Sequence, residues 1–186
     1  MSANYLTNPL VFIINAVIGA YIFIMMIRVL LQYVEADFNN PISLFVIRAT
    51  KLPLQFLKPV FPTIKNINLS AVFVMVILQM AIGFLILSEQ VGVEVFGIFV
   101  WSVAELINSL INIFMFSIFL TVILSWISPG TYNPAVSLLY KITEPVMRPF
   151  QQFIPPMGGM DLSPMAALLA LQVLKMLLIP PLYSLI

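Results

Sequence analysis

Displaced by half of its 186 residues, the chain aligns with itself without a gap. Asn15 then falls on Asn108, Asn40 on Asn133, Pro41 on Pro134, Thr50 on Thr143, Pro62 on Pro155, Ser70 on Ser163 and Gln79 on Gln172. Arg48 and Lys141, and Asn68 and Asp161, agree in chemistry. Residues are 62% hydrophobic, so apolar coincidences such as Phe23 with Phe116 and Leu78 with Leu171 are expected by chance; polar and proline coincidences are not. A repeat sets architecture before any local feature, because both units must follow one plan. The units are residues 1–93 and 94–186.

Only 8% of the residues are charged, against about 25% in soluble domains. A chain of this size cannot hide so much apolar surface from water, so the bilayer is its solvent. Four apolar runs stand out: Pro9 to Val34, broken by Asn15 and Arg28; Leu69 to Leu87, containing Gln79; Val91 to Ile127; and Pro164 to about Ser184, containing Gln172 and Lys175. The first lacks a basic leader and a small-residue cleavage site, and is read as a retained span. A span needs roughly 20 residues, which makes the third run too long for one simple crossing. Counting back from Ile127 puts its outer end near Ile107. Upstream, Glu94, Trp101, Ser102, Glu105, Asn108 and Asn112 form one polar stripe. Residues 94–106 are therefore predicted to be an interfacial lead-in, with Trp101 at headgroup level. The predicted fold is an all-α membrane protein with four transmembrane helices, at about 9–34, 69–87, 107–127 and 164–184. They form two tandem repeats of parallel topology, each a span, a broken amphipathic loop segment and a span.

Two spans per repeat return the chain to its starting side, so both long loops share one side. Arg48, Lys51, Lys58 and Lys65 outnumber Glu35 and Asp37 in the first loop; the second carries Lys141 and Arg148. The short middle connection has Glu89 and Glu94 and no basic residue. This bias predicts cytoplasmic loops and both termini outside. Asn40-Pro41 and Asn133-Pro134 each read as a helix start, an Asn cap before a first-turn proline. A polar stripe follows in both: Arg48, Lys51, Gln55 and Lys58, then Lys141, Glu144, Arg148 and Gln151. Pro53, Pro145 and Pro149 are expected to kink or break these helices. A basic amphipathic helix suits the membrane interface; a re-entrant element or a docking surface is the alternative. Gly158-Gly159 allows a tight turn, and Asp161 or Ser163 suits the cap of the last span. The first repeat has Lys65-Asn66 in place of the glycines, which predicts a looser turn.

Gln79 and Gln172 lie near mid-span, as helix–helix hydrogen-bonding groups or as the lining of a polar path. Lys175 and Glu105 are predicted to approach one another, directly or through water, or else to reach separately for the surface. Arg28 is expected to snorkel to the nearer, cytoplasmic end of its span. Histidine and cysteine are both absent, which removes the commonest general base and the usual zinc and iron–sulfur ligands. Glu144 and Asp161, the only acids in the second loop, are too far apart in sequence to suggest a pair. No catalytic, cofactor or metal site is read. A net charge of +1 gives no case for nucleic acid.

The second repeat carries a dense motif: Asn133-Pro134, Thr143-Glu144-Pro145, Arg148-Pro149, Ile154-Pro155-Pro156, Gly158-Gly159, Asp161, Ser163-Pro164 and Leu171-Gln172. With Arg28-Val29-Leu30-Leu31 in the first repeat and Ser125-Trp126 in the second, it resembles the YggT family of bacterial integral membrane proteins. That family has relatives in Gram-positive bacteria and chloroplasts. Thr121 stands where the family's arginine would recur in the second repeat. Thr50-Lys51-Leu52-Pro53 replaces the Thr-Glu-Pro of the first, so the second repeat is the expected site of any task the motif performs. The resemblance implies a multi-pass protein of the bacterial cytoplasmic membrane. Its members are associated with osmotic stress and potassium-uptake compensation, its relatives with cell division, nucleoid placement or haem attachment. That last role cannot use His or Cys here. The expected function is a non-enzymatic interaction or assembly factor, with Asn133, Pro134, Lys141, Thr143, Glu144, Pro145, Arg148, Pro149 and Asp161 as its interaction loop. The expected partners are anionic headgroups, a membrane protein or further copies of the chain. The alternative is an oligomeric channel or transporter component for small ions or solutes.

Overall fold

The computed structural model describes residues 4–87, 94–127, 133–154 and 161–185. Six helices and one short hairpin follow in order: α1 (Asn4–Tyr33), α2 (Pro41–Leu57), β1 (Thr63–Ile64), β2 (Ile67–Asn68), α3 (Leu69–Leu87), α4 (Val95–Ile127), α5 (Pro134–Phe153) and α6 (Ser163–Tyr183). Helices α1, α3, α4 and α6 are long and apolar enough to cross a membrane. The fold is the predicted one: an all-α multi-pass membrane protein built as two tandem repeats of span, amphipathic helix and span.

The four spans form a row. α3 packs between α1 and α4, and α4 between α3 and α6. Each loop helix lies across the spans of its own repeat, α2 on α1 and α3, α5 on α4 and α6. Both sit at the same end. There Asn40 Nδ2 donates to the Pro134 carbonyl at 2.8 Å, and Lys141 Nζ to the Glu35 carbonyl at 3.3 Å. The first joins the starts of the two loop helices, and the second joins α5 to the turn between α1 and α2.

One core gathers Met25, Met26 and Leu30 of α1 with Val46 and Leu54 of α2 and Ala71 and Met75 of α3; it reaches Leu138 and Ile142 of α5. A second joins Ile111 and Ile118 of α4 to Met147 of α5 and Ala167 and Leu171 of α6. Between the repeats, a Cβ on Gly83 would stand 2.9 Å from Ile98 Cγ2 and 3.1 Å from Trp101 Cε3. Glycine there lets α3 and α4 approach closely, the usual route to affinity between helices that gain nothing from hiding apolar surface in lipid.

Three regions add to the sequence reading. α4 is one unbroken helix of 33 residues, about 50 Å at 1.5 Å per residue. No break separates the segment expected as an interfacial lead-in, which packs on α3 through Ile98 and Trp101, from the rest of the helix. Nor do the prolines end the loop helices: Pro53 lies inside α2, and Pro145 and Pro149 inside α5. Pro53 has no N–H for the Ala49 carbonyl one turn back, and the Tyr21 hydroxyl of α1 reaches that carbonyl at 3.4 Å. Finally, the first repeat's turn is tight. Lys65 and Asn66 both take positive φ, 45° and 66°, between the paired strands β1 and β2. That is the two-residue hairpin geometry that favours Asn and Gly. Its counterpart Gly158-Gly159, with Pro155 and Pro156, lies outside the described residues.

Candidate functional site

The polar residues shared by the repeats are fold devices. Asn40 and Asn133 each accept a hydrogen bond from the amide two residues on, at 2.9 Å, with proline next in line. Thr50 and Thr143 are buried and donate to the carbonyls of Val46 and Leu139, one turn back, at 2.7 and 2.9 Å. Ser70 and Ser163 are fully buried and donate to the equivalent carbonyls of Phe61 and Ile154, at 2.7 and 3.5 Å. Thr143, expected on an interaction surface, therefore faces the core.

Beneath each loop helix lies a cavity. The first, about 580 Å³, is lined by Arg28, Gln32, Lys51, Lys58, Asn68 and neighbouring apolar groups. The second, about 1300 Å³, is lined by Thr121, Ser125, Glu144, Gln151, Asp161 and a more apolar surround. These five pairs occupy identical places in the repeat, so the cavities are counterparts. At four of the five, the first repeat carries the more positive side chain: Arg28 against Thr121, Lys51 against Glu144, Lys58 against Gln151, Asn68 against Asp161. No carboxylate lines the first cavity. The second has two, with Lys141.

Arg28 does not snorkel. Its Nη1 donates to Thr50 Oγ1 at 2.8 Å and to the Ile47 carbonyl at 3.1 Å, while Nε is buried without a partner. The reason is α2: with that helix packed across α1, its Thr50 and Ile47 carbonyl are nearer than bulk water. In the second repeat Thr121 donates to its own helix, to Ile118. The volume that an arginine side chain would fill there is left to the larger cavity.

Around the second cavity, Glu144, Pro145, Arg148 and Pro149 are exposed on α5. Asp161 accepts from the Ser163 amide at 2.8 Å and from Gln151 Nε2 at 3.4 Å, tying the end of α5 to the start of α6. Partial burial works to raise its carboxyl, but the Ser163 and Gln151 hydrogen bonds outweigh that and hold it below the ordinary carboxylate range.

The intramembrane candidates divide. Lys175 and Glu105 do not meet. Lys175 Nζ donates to Asn112 Oδ1 at 2.9 Å, and Glu105 accepts from the Tyr183 hydroxyl at 2.5 Å. α4 and α6 run antiparallel with 112 opposite 175 and 105 opposite 183, so Glu105 and Lys175 are two helical turns out of step. Weaker contacts at 3.5 Å from Asn108 to Glu105 and from Asn112 to Asn108 complete a polar ladder along the seam. Gln79 and Gln172 are half-buried on α3 and α6. Those helices flank α4 on opposite sides, and neither amide has a hydrogen-bond partner among the described residues. Among those residues no cluster of three His, Cys, Asp or Glu forms a metal site.

The model of the CCB3/YggT family matches residues 7–88 and again residues 100–182, once per repeat. An uncharacterised protein of Pseudomonas aeruginosa is 36% identical over 177 residues, 94% of this chain and 90% of that one. The uncharacterised protein YggT of Escherichia coli K12 is 31% identical over 171 residues, 91% of this chain and 88% of its own. An uncharacterised protein of Porphyra purpurea, ycf19, is 37% identical over 76 residues, 39% of this chain but 80% of its own, so it is similar to about one repeat. No solved structure matches.

Proposed function

The chain belongs to the CCB3/YggT family, and from that premise we propose that it is a non-enzymatic interaction or assembly factor of the bacterial cytoplasmic membrane. Its paired loop helices serve as a platform on the cytoplasmic surface, and its termini lie outside. One observation carries the reading: α5 is tied across the repeats to the cap of α2 by Asn40–Pro134 and to the turn that leads into α2 by Lys141–Glu35. Two unrelated surface helices would need no such tie; a platform does. α2 adds three distinct faces. Val46, Thr50 and Leu54 are buried, Lys51 and Lys58 are exposed, and Phe45, Leu52 and Phe56 are exposed as an apolar strip. That combination suits a helix seated among anionic headgroups.

The test uses Arg148, which is exposed, rather than Lys141, which is held by the inter-repeat contact. Protein purified with its native lipid is expected to bring a stoichiometric membrane partner, and Arg148→Ala to release it with helicity unchanged. Equal recovery from the variant would count against the platform. The association with osmotic stress and potassium-uptake compensation belongs to this reading as an expectation of the family resemblance. Growth of a deletion strain at high osmolarity and low potassium tests it.

A second reading, an oligomeric channel or transporter component for small ions or solutes, is favoured by the ladder from Lys175 through Asn112 and Asn108 to Glu105 and Tyr183. Polar groups at this depth are costly against lipid and mark paths or contacts. Flux of potassium or another small solute through liposomes is its test, and a tight bilayer would sink it.

A further inference from the structure

We propose that the cavity of the first repeat is a binding site for the phosphate oxyanion of an anionic membrane phospholipid, held by Arg28, Lys51 and Lys58. Three cations converge on one cavity that no carboxylate lines. Like charges gathered in this way repel one another unless an anion joins them. Arg28 is already oriented: Thr50 and the Ile47 carbonyl fix Nη1, and Nε is a buried donor without a partner. A guanidinium fixed at one nitrogen and lining the cavity is suited to a planar or tetrahedral oxyanion.

The counterpart cavity strengthens the assignment. The repeat keeps its caps, its buried threonines and its buried serines in both copies, yet changes charge in one direction at Arg28/Thr121, Lys51/Glu144, Lys58/Gln151 and Asn68/Asp161. Arg28 also serves the docking of α2, but Lys51 and Lys58 are exposed beside the cavity, where docking does not set their charge. A ligand of definite sign in the first cavity does.

Position selects the source of the phosphate. Arg28 lies five residues before the end of α1 at Tyr33, about 7 Å along the helix, the level at which a span meets the headgroups. Leu31, Val46 and Leu54 line the inner wall. The outer face of α2 presents Phe45, Leu52 and Phe56, which are 63%, 72% and 78% exposed. A free phosphate has no use for these surfaces, whereas a phospholipid places its acyl chains on them. The proposal deepens the membrane-surface half of the reading above and rests on α2 lying at that surface. It does not depend on a protein partner.

The full-length protein, delipidated in detergent, is incubated with phosphatidylglycerol or phosphatidylcholine, and native mass spectrometry counts the bound lipid. A parallel arm titrates inorganic phosphate into the lipid-free protein by calorimetry. One phosphatidylglycerol per chain is expected, held in preference to phosphatidylcholine. Lys51→Ala and Lys58→Ala, both at exposed positions that leave the Arg28 anchor intact, should each weaken it about tenfold. Arg48→Ala, outside the cavity, and Glu144→Gln, in its counterpart, should leave it unchanged. An equal loss in Arg48→Ala would reduce the effect to surface charge and overturn the proposal, as would equal retention of phosphatidylcholine or no retained lipid. Inorganic phosphate that binds with the same lysine dependence and displaces the lipid would overturn the phospholipid assignment. Partner recovery is not measured in either arm, so failure here leaves the platform reading standing, and failure of the platform leaves this site standing.

Discussion

Arg28 donates to Thr50 Oγ1 at 2.8 Å, whereas their counterparts Thr121 and Thr143 each turn back to a carbonyl of their own helix. Docking of the first loop helix thus depends on a charged side chain from the span beneath it, and docking of the second does not. Hydrogen bonds to charged groups contribute about 1.5–3 kcal/mol. Arg28→Ala should destabilise the protein by about that amount and loosen α2 selectively, seen as faster amide exchange over residues 41–57 than over 134–153. Thr121→Ala should cost less and spare α5. Equal loosening of both loop helices would contradict the asymmetry.

The seam between the repeats makes a second prediction. Gly83→Ala places a methyl group 2.9 Å from Ile98 and 3.1 Å from Trp101, and overpacking of this kind costs about 1–3 kcal/mol. Gly83→Leu should go further and part α3 from α4. Melting in detergent would measure the loss, and Gly83→Ala combined with Trp101→Ala should recover part of it. A neutral Gly83→Leu would mean that the two helices do not pack there.

Ser70 and Ser163 are the same residue in the repeat, but their bonds differ, 2.7 Å to Phe61 and 3.5 Å to Ile154. A net hydrogen bond contributes about 1 kcal/mol. Ser70→Ala should lower stability by about that much and Ser163→Ala by clearly less, in paired melts. The reverse order would contradict the distances.

Much of this architecture was legible before the structure. Spans are written in hydropathy, and the repeat in Asn40/Asn133, Thr50/Thr143 and Ser70/Ser163, whose burial and capping roles explain why those types recur. The outer end of a long apolar helix is not written anywhere, so α4 continues without a break through residues that look interfacial. The hairpin at Lys65-Asn66 is not legible in the sequence, because Lys is a poor signal for positive φ. Hydropathy alone sends Arg28 to the surface, because its partners, Thr50 and the Ile47 carbonyl, lie 19 or more residues away on another helix. The paired cavities did have a signal, the one-sided charge change at four lining positions. It lies in the mismatches of the self-alignment, at Arg28/Thr121, Lys51/Glu144, Lys58/Gln151 and Asn68/Asp161.

Asp161 adds a pH dependence whose sign is fixed by its contacts. Its carboxyl is held below the ordinary range by Ser163 and Gln151. A depressed folded pKa means that the contribution is fully present above the unfolded value, about 3.9, and is lost as pH falls through the folded one. Protection of the Ser163 amide, its exchange rate taken relative to a free peptide at the same pH, should therefore fall on acidification below about pH 4. Asp161→Asn should remove that step and leave stability at neutral pH slightly lower. A step of unchanged size in Asp161→Asn would assign the titration to another group.

The ladder between α4 and α6 tests helix register, which hydropathy does not encode. Opposite charges invite a pairing of Lys175 with Glu105, but the antiparallel packing places Lys175 beside Asn112 and Glu105 beside Tyr183. Register decides, because sliding one helix by two turns would unseat Ala167 and Leu171 from Ile111 and Ile118 for the sake of one ion pair. Polar contacts between membrane helices contribute about 0.6 kcal/mol on average and about 1.7 at most. A double-mutant cycle of Lys175→Met with Asn112→Leu, read by reversible unfolding in mixed micelles, should show coupling in that range. The cycle of Lys175→Met with Glu105→Gln should show about none, since two turns separate the groups by roughly 10 Å. The same substitutions separate the second functional reading from packing. If the ladder only holds helices together, solute flux follows stability; if it lines a path, Asn108→Leu lowers flux while the melting temperature stays near that of the native protein.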